Sequence, residues 1–443
     1  MPNKTIPSVS AFRFLIHSTQ ILKNPLPFHH KNFETKGDTF RLKLGFGKSV
    51  IFSRDAGLAQ HALQKNHKNY SKSPIQTRDL VKYVGRGLLT SEGELWQKQR
   101  KLIQPAFHKK QLINLLETIN SAIKGELQKI ETARPKDIFP VFNDLAFQTV
   151  VKSLFSSAVD QNDINKLQHI TESAQQMLVK ELRQPYLGWW FKWSGKIAKH
   201  ISETEEARTI LKKLVNERRQ SGRREDDLLD MLLEARYDDG SAMADEQLID
   251  EILILFTAGH ETTSNALTFT CELLARHPEI QETIFAEVTE AEKHSENLFE
   301  FLKHCAFTKN VLEESLRLYP PAYFIDRINI EEDEFNGVVI PKNSNLLFSI
   351  LEIHTDPKNW EEPNKFNPER FSGVNPNHFS VQYFPFGAGP RMCIGNNFAM
   401  YEMILAIAEI VKTYKISEKH TPIEIKPLIT LKPKNAILEF NFR

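Results

Sequence analysis

The stretch from Asp38 to Ser53, DTFRLKLGFGKSVIFS, alternates apolar and polar positions on either side of a glycine-rich turn, which predicts a β-hairpin. From about Asp55 to Leu318 the apolar spacing becomes helical, as in ELWQKQRKLIQPAF, KKQLINLLETINSAIKGELQKI and SETEEARTILKKLVNERRQ. RREDDLLDMLLEARYDDGSA reads as a short helix and a charged, solvated loop. The longest helical pattern is ADEQLIDEILILFTAGHETTSNALTFTCELLARH, with Asp245 placed to cap its start and Pro278 to end it. About 32 residues of helix would span roughly 48 Å. Its middle, ILILFTAG, is apolar on all sides, as expected of a helix enclosed by protein. Beyond Pro320, RINI, NGVVI, NLLFSI and ITLKPKNAILEFNF read as short strands.

This order predicts a mainly α fold with small β-sheets near both ends. Pro25 and Pro27 limit helix formation, so residues 1–30 are expected to be an irregular lead-in. No repeat, low-complexity linker or glycine–serine hinge follows, so residues 31–443 are expected to form one helix-rich domain. Composition adds exclusions. A net charge of +1 gives no general attraction to nucleic acid. Three cysteines are too few and too odd for a disulfide framework, and fit a reducing compartment. No apolar run approaches the roughly 20 residues of a membrane span. A cytoplasmic monomer without a membrane anchor is expected.

Candidate chemistry centres on FPFGAGPRMCIG. Cys393 precedes an amphipathic helix pattern, and a helix start favours a thiolate. Gly387, Gly389 and Gly395 allow unusual backbone angles and the close approach of something flat. Arg391 offers a fork for a carboxylate. A buried structural cysteine is the plainer reading, but it leaves the glycines and the arginine in this register without a purpose.

FGAGPRMCIG resembles the haem-binding loop of the cytochrome P450 superfamily, F-x-x-G-x-R-x-C-x-G, at every defined position from Phe386 to Gly395. Other motifs of that family occur in order. AGHETT, Ala258 to Thr263, is similar to its central-helix pattern; ESLR, Glu314 to Arg317, to its E-x-x-R; and NPERF contributes Arg370. Trp96 and Arg100 match its W-x-x-x-R pair on one helix face. The resemblance implies haem b ligated by Cys393, with Arg391, Arg327, Trp96 and Arg100 at the propionates and Ala258 and Gly259 leaving room beside it. It implies proton handling by Glu261 and Thr262. The alternative for that pair is a threonine bonded back to its own helix and a glutamate turned to solvent. Glu314, Arg317 and Arg370 would form a buried structural triad. His354, in HTDPKNW, is open between packing and touching the cofactor.

The implied activity is a haem-thiolate monooxygenase, soluble and of bacterial type, that hydroxylates a C–H bond or O-demethylates a methoxy group using O2. A peroxide-driven or isomerising enzyme and a non-catalytic haem sensor are the alternatives. The intact Glu261–Thr262 pair favours the monooxygenase. Only 50 residues follow Cys393. A separate ferredoxin or flavodoxin with its reductase is therefore the expected electron source, with Arg100, Lys101, Lys109 and Lys110 as a docking patch or simply a solvated basic face. The substrate pocket is expected at Leu89, Phe256, Ala258, Phe324 and the turn near Leu428. Its segments mix Leu, Ile and Phe with Gln76, Arg78 and Asp79, so fatty acids and small polar ethers both fit. In QPYLGWWFKWSG, the tryptophans 189, 190 and 193 are expected to pack a lid or stack on a ring.

Overall fold

The alternating stretch forms the antiparallel pair Thr39–Gly45 and Lys48–Ser53. The structure is a computed structural model that describes residues 5–45, 47–156, 159–184, 187–374, 378–418 and 423–443. Its contacts group into two units interleaved in sequence. The first holds residues 1–73, 310–393 and 424–434; the second holds 74–309, 394–423 and 435–443.

The first unit is built on a six-stranded mixed sheet. Lys48–Ser53 lies at its middle, antiparallel to Thr39–Gly45 and parallel to Asn345–Ser349. Phe324–Asn329 and Tyr70–Ser71 complete one side, and Ser8–Val9 the other. One apolar cluster under this sheet joins Ile51, Leu63, Tyr70, Phe348, Phe384 and Ala388. The lead-in is not irregular. Ala11–Ile16, Ser18–Lys23 and Leu26–Lys36 are helical. Pro25 precedes the third helix and Pro27 sits in its first turn, where a missing N–H costs nothing. Phe28 and Phe33 then bury against Phe40 and Phe52, which holds the helix on the sheet.

The second unit is helical. Asp245–Arg276 is one helix of 32 residues, and it ends at His277, before Pro278. Ala244 is its N-cap residue, not Asp245. Asp245 lies in the first turn, where its charge favours the positive end of the helix. The helix packs on Phe139–Phe155, with Phe256 against Phe147 at 5.5 Å between ring centroids. Asn396–Thr413 is the amphipathic helix expected after the cysteine loop. A small sheet, Tyr414–Glu418 on Ile437–Phe442 on Lys136–Asp137, closes this unit.

Candidate active site

Cys393 is exposed, whereas Cys271 and Cys305 are buried. Burial pushes both buried thiols up, Cys305 to about 12, so neither is poised to form a thiolate. The cysteine loop is fixed by its own backbone: the Cys393 N–H donates to the Phe386 carbonyl at 2.9 Å. Gly387 and Gly389 take left-handed angles, φ +75° and +70°. At Gly389 an added Cβ would overlap the Leu63 carbonyl oxygen, so the loop lies directly on that segment's backbone. Gly395 differs from expectation. Its φ of −90° is one that any residue adopts. Arg391 ends the short 3-10 turn Gly389–Arg391 and is half-buried.

Behind the loop sits a dense ionic node. Glu314 and Arg317 are one turn apart on the helix Ala306–Leu318, and both are fully buried. Arg317 grips the carboxylate with two bonds, 2.7 and 2.8 Å, and Arg370 adds a third at 3.3 Å. Arg317 also donates to the carbonyls of His354 and Pro363, each at 2.7 Å, and lies over the Trp360 ring. Buried ion pairs persist only when their remaining donors are satisfied in this way.

His354 joins the node to the loop. Its carbonyl takes the Arg317 bond, and its ring Nε2 accepts the Phe384 N–H at 2.8 Å. Burial, and then the Arg317 charge, pull the imidazole down to about 3, so it is neutral and able to accept. Its ring packs on Tyr383 and Trp360. The sequence left this residue open between packing and touching the cofactor; here its ring holds the chain entering the loop.

On the long helix, residues on most sides are buried, yet Ala258 is exposed and Leu255, Gly259 and Thr262 are partly so. Positions 255, 258, 259 and 262 share one helix face. Thus a helix that is largely enclosed between its exposed ends has an open stripe at its middle. Leu255 was missed in the sequence, although it lies one turn before Ala258. The Thr262 hydroxyl donates to the Ala258 carbonyl at 2.9 Å, the back-bonded arrangement, while Glu261 is buried rather than turned to solvent. Gly259 is small for another reason: an added Cβ would stand 3.0 Å from Val150, so the glycine serves helix packing.

One pocket assignment changes. Phe256 is fully buried among Phe147 and Phe155, on the packed side of the helix, so it does not line the stripe. Phe324 is partly buried and packs edge-on to Phe52 and His29, at the rim of the first unit's core. Leu89 is half-buried against the cluster of Tyr83, Met177, Leu178 and Ile254. A small recess in the same unit, with room for about one water, is lined by Leu80, Tyr83, Val84 and Leu253 on one hand and Thr171, Gln175, Thr204 and Thr257 on the other. The turn near Leu428 is held by the Tyr323 hydroxyl, which donates to the Leu428 carbonyl. Trp96 and Arg100 share a face of Gly93–Ile103, both half-buried, and Arg100 bonds Gln104. Arg327 is buried in Phe324–Asn329 and donates to the Asp326 carbonyl. Lys101 is engaged by Asp238, leaving Lys109 and Lys110 as the exposed pair of the basic group. Trp189, Trp190 and Trp193 are exposed, with their rings in contact with one another. Pro185 and Tyr186 of the same segment lie outside the described residues. Glu402 was not anticipated. Burial holds its carboxyl well above the usual range, opposed by the Thr149 and Thr263 hydroxyls.

A flat iron-bearing group held by sulfur fits these residues. Cys393 presents a soft donor at the surface, and a Cβ added at Gly387 would meet only Ile325, at 3.8 Å, so the backbone there is open to a close neighbour. The family comparison agrees. The cytochrome P450 family profile matches residues 7–440. This chain belongs to the cytochrome P450 family, whose members are oxygenases with haem bound through a cysteine. Cyclooctat-9-en-7-ol 5-monooxygenase of Streptomyces melanosporofaciens is 28% identical, over 90% of this chain and 87% of its own. Secologanin synthase 2 of Catharanthus roseus is 31% identical, over 82% of this chain and 73% of its own. The solved structure of retinoic acid-bound cyanobacterial CYP120A1 is similar across 100% of both chains, with a TM-score of 0.85 and 26% identity. No helix among the described residues is long and apolar enough to cross a membrane.

Proposed function

We propose that this P450 hydroxylates an apolar small molecule, with Cys393 as the thiolate ligand of haem b. The bound haem supplies O2 activation and transfer of one oxygen atom to a C–H bond. The open Leu255–Ala258–Thr262 stripe on a largely buried helix is the observation that carries this reading. An exposed alanine there leaves space for a ligand, and its apolar neighbours exclude water.

The residues then divide the work. Phe386 holds the Cys393 backbone, and Gly387 would leave room for the haem beside the loop. Arg391, Arg327, Trp96 and Arg100 are the groups for the two propionates. The Thr262 hydroxyl has its proton committed to Ala258, so its lone pairs are left to accept from a proton donor. Glu261 is the adjacent carboxyl for proton exchange. The pair, both present, supports a monooxygenase over a peroxide-driven relative. On a methoxy carbon the same hydroxylation releases formaldehyde, which is O-demethylation. Electrons come from a separate ferredoxin or flavodoxin with its reductase, and Lys109 and Lys110 are the exposed cations for an acidic partner.

Leu255 and Ala258 on the open stripe support a hydrocarbon-rich substrate over a small polar ether. Relatives named for cyclooctat-9-en-7-ol and bound to retinoic acid accord with that. A screen for the low- to high-spin shift of the ferric haem tests it. Hydrocarbon-rich alcohols and acids should give the shift; a response confined to small polar ethers would refute the substrate class. Loss of the long-wavelength ferrous–CO band in Cys393→Ala tests the ligand independently of turnover.

A further inference from the structure

We propose that Glu402 is a positioning residue: its carboxyl ties the helix Asn396–Thr413 to the long helix at Thr263 and so holds Thr262 on the open stripe, an inference resting on the proposed haem beside that stripe. Glu402 is fully buried, and neither carboxyl oxygen has a partner of full hydrogen-bond geometry. The polar groups beside it are two hydroxyls, Thr149 on Phe139–Phe155 and Thr263 on Asp245–Arg276. One side chain therefore stands among three helices of the second unit. A bare carboxylate enclosed there, without a cation or N–H donors, would be costly.

The direction of the hydrogen bonds selects the acid form. The Thr149 hydroxyl donates to the Leu145 carbonyl at 2.8 Å, so toward Glu402 it can only accept. A carboxylate has no proton to give it, whereas a carboxylic acid has one. The Thr263 hydroxyl can rotate to donate to the other oxygen. The chain then runs one way: Thr263 O–H to the Glu402 carbonyl oxygen, Glu402 O–H to Thr149, and Thr149 O–H to Leu145. Burial favours the same form by raising the Glu402 carboxyl well above its usual range. The consequence falls on the next residue. Thr262 is one position, about 100° of helix rotation, from Thr263, so anchoring one sets the direction of the other. One turn earlier Gly259 packs on Val150, the neighbour of Thr149. The two contacts together fix the rotation of the long helix against Phe139–Phe155.

The test is infrared spectroscopy of the haem-loaded ferrous–CO complex in wild type, Glu402→Gln, Glu402→Leu and Thr263→Val. The C–O stretch of the bound CO shifts with the polar groups beside it, and so reads where Thr262 stands. Glutamine keeps one donor and one acceptor, so Glu402→Gln should retain the wild-type stretch. Glu402→Leu and Thr263→Val should shift and broaden it. Thr263→Val, which keeps the side-chain shape, decides the matter if Glu402→Leu fails to fold. The carbonyl band of a protonated carboxylic acid should be present in wild type at neutral pH and be lost in Glu402→Gln. Overturning results are a C–O stretch in Glu402→Gln as displaced as in Glu402→Leu, or no acid band that depends on Glu402. Each would mean that an ionised carboxylate is needed there. An unshifted stretch in Thr263→Val also overturns the tie. The long-wavelength Soret band of the same samples reports the thiolate-bound haem by itself, so that result would leave the haem reading standing.

Discussion

Replacing His354 tests the residue whose carbonyl takes a bond from Arg317 and whose ring holds the Phe384 N–H. In His354→Leu the ring volume is roughly kept, but the Phe384 N–H loses its acceptor inside the core. A buried donor left unpaired costs about 1–3 kcal/mol. If that cost falls on the loop, its native arrangement becomes about 5- to 150-fold less favoured against displaced ones. In His354→Gln the side-chain carbonyl can reach the same N–H, so most of the loss should be recovered. The assay is the ferrous–CO complex of the haem-loaded protein during slow warming. His354→Leu should convert from the long-wavelength to the short-wavelength Soret form at a lower temperature than wild type, with His354→Gln between them. Arg317 should stay paired in both variants, since its bond is to the His354 backbone carbonyl. Conversion of His354→Leu at the wild-type temperature would show that the loop does not depend on this bond.

Glu314→Gln removes the negative centre that two arginines share, and an uncompensated buried guanidinium costs about 3–5 kcal/mol; urea denaturation of the haem-free and haem-loaded chains should show the loss in both. Gly389→Ala forces a Cβ onto the Leu63 carbonyl and adds left-handed strain of about 1–2 kcal/mol. Gly387→Ala adds similar strain but only an ordinary contact with Ile325, so urea denaturation of the haem-free chain should show it less destabilised than Gly389→Ala; equal destabilisation would contradict the Leu63 contact. His29, between Phe52 and Phe324, and His354 are both held near 3 by burial, against about 6.5 unfolded. Their folded forms resist protonation, so their contribution is complete above pH ~6.5 and is lost as pH falls toward 3. Each adds about 1.4 kcal/mol of lost stability per pH unit in that window. His29→Phe should reduce the acid slope of unfolding free energy by about one proton; an unchanged slope would refute the assignment.

Much of the fold was legible because its signals are periodic. The Thr39–Ser53 hairpin, the long helix to His277 and the helix after the cysteine all follow from apolar spacing and from proline or glycine placed at their ends. The N-terminal helices were not legible, since Pro25 and Pro27 read as breakers until Phe28 and Phe33 find the sheet that buries them. Ring direction was hidden as well. Phe256 and Leu255 are neighbours of like character, yet one is enclosed by phenylalanines and the other faces the open stripe. Gly259 and Ala258 looked alike as small residues, but Val150 explains only the glycine.

The sequence by itself determined the family and the candidate chemistry, because motif residues keep fixed local spacing that survives without knowledge of distant contacts. Tertiary structure alone decided which groups each element meets. It put His354 between Arg317 and Phe384, sealed two cysteines while leaving Cys393 exposed, and turned three tryptophans outward. Those outcomes depend on burial by segments far apart in the chain, and no local pattern encodes them.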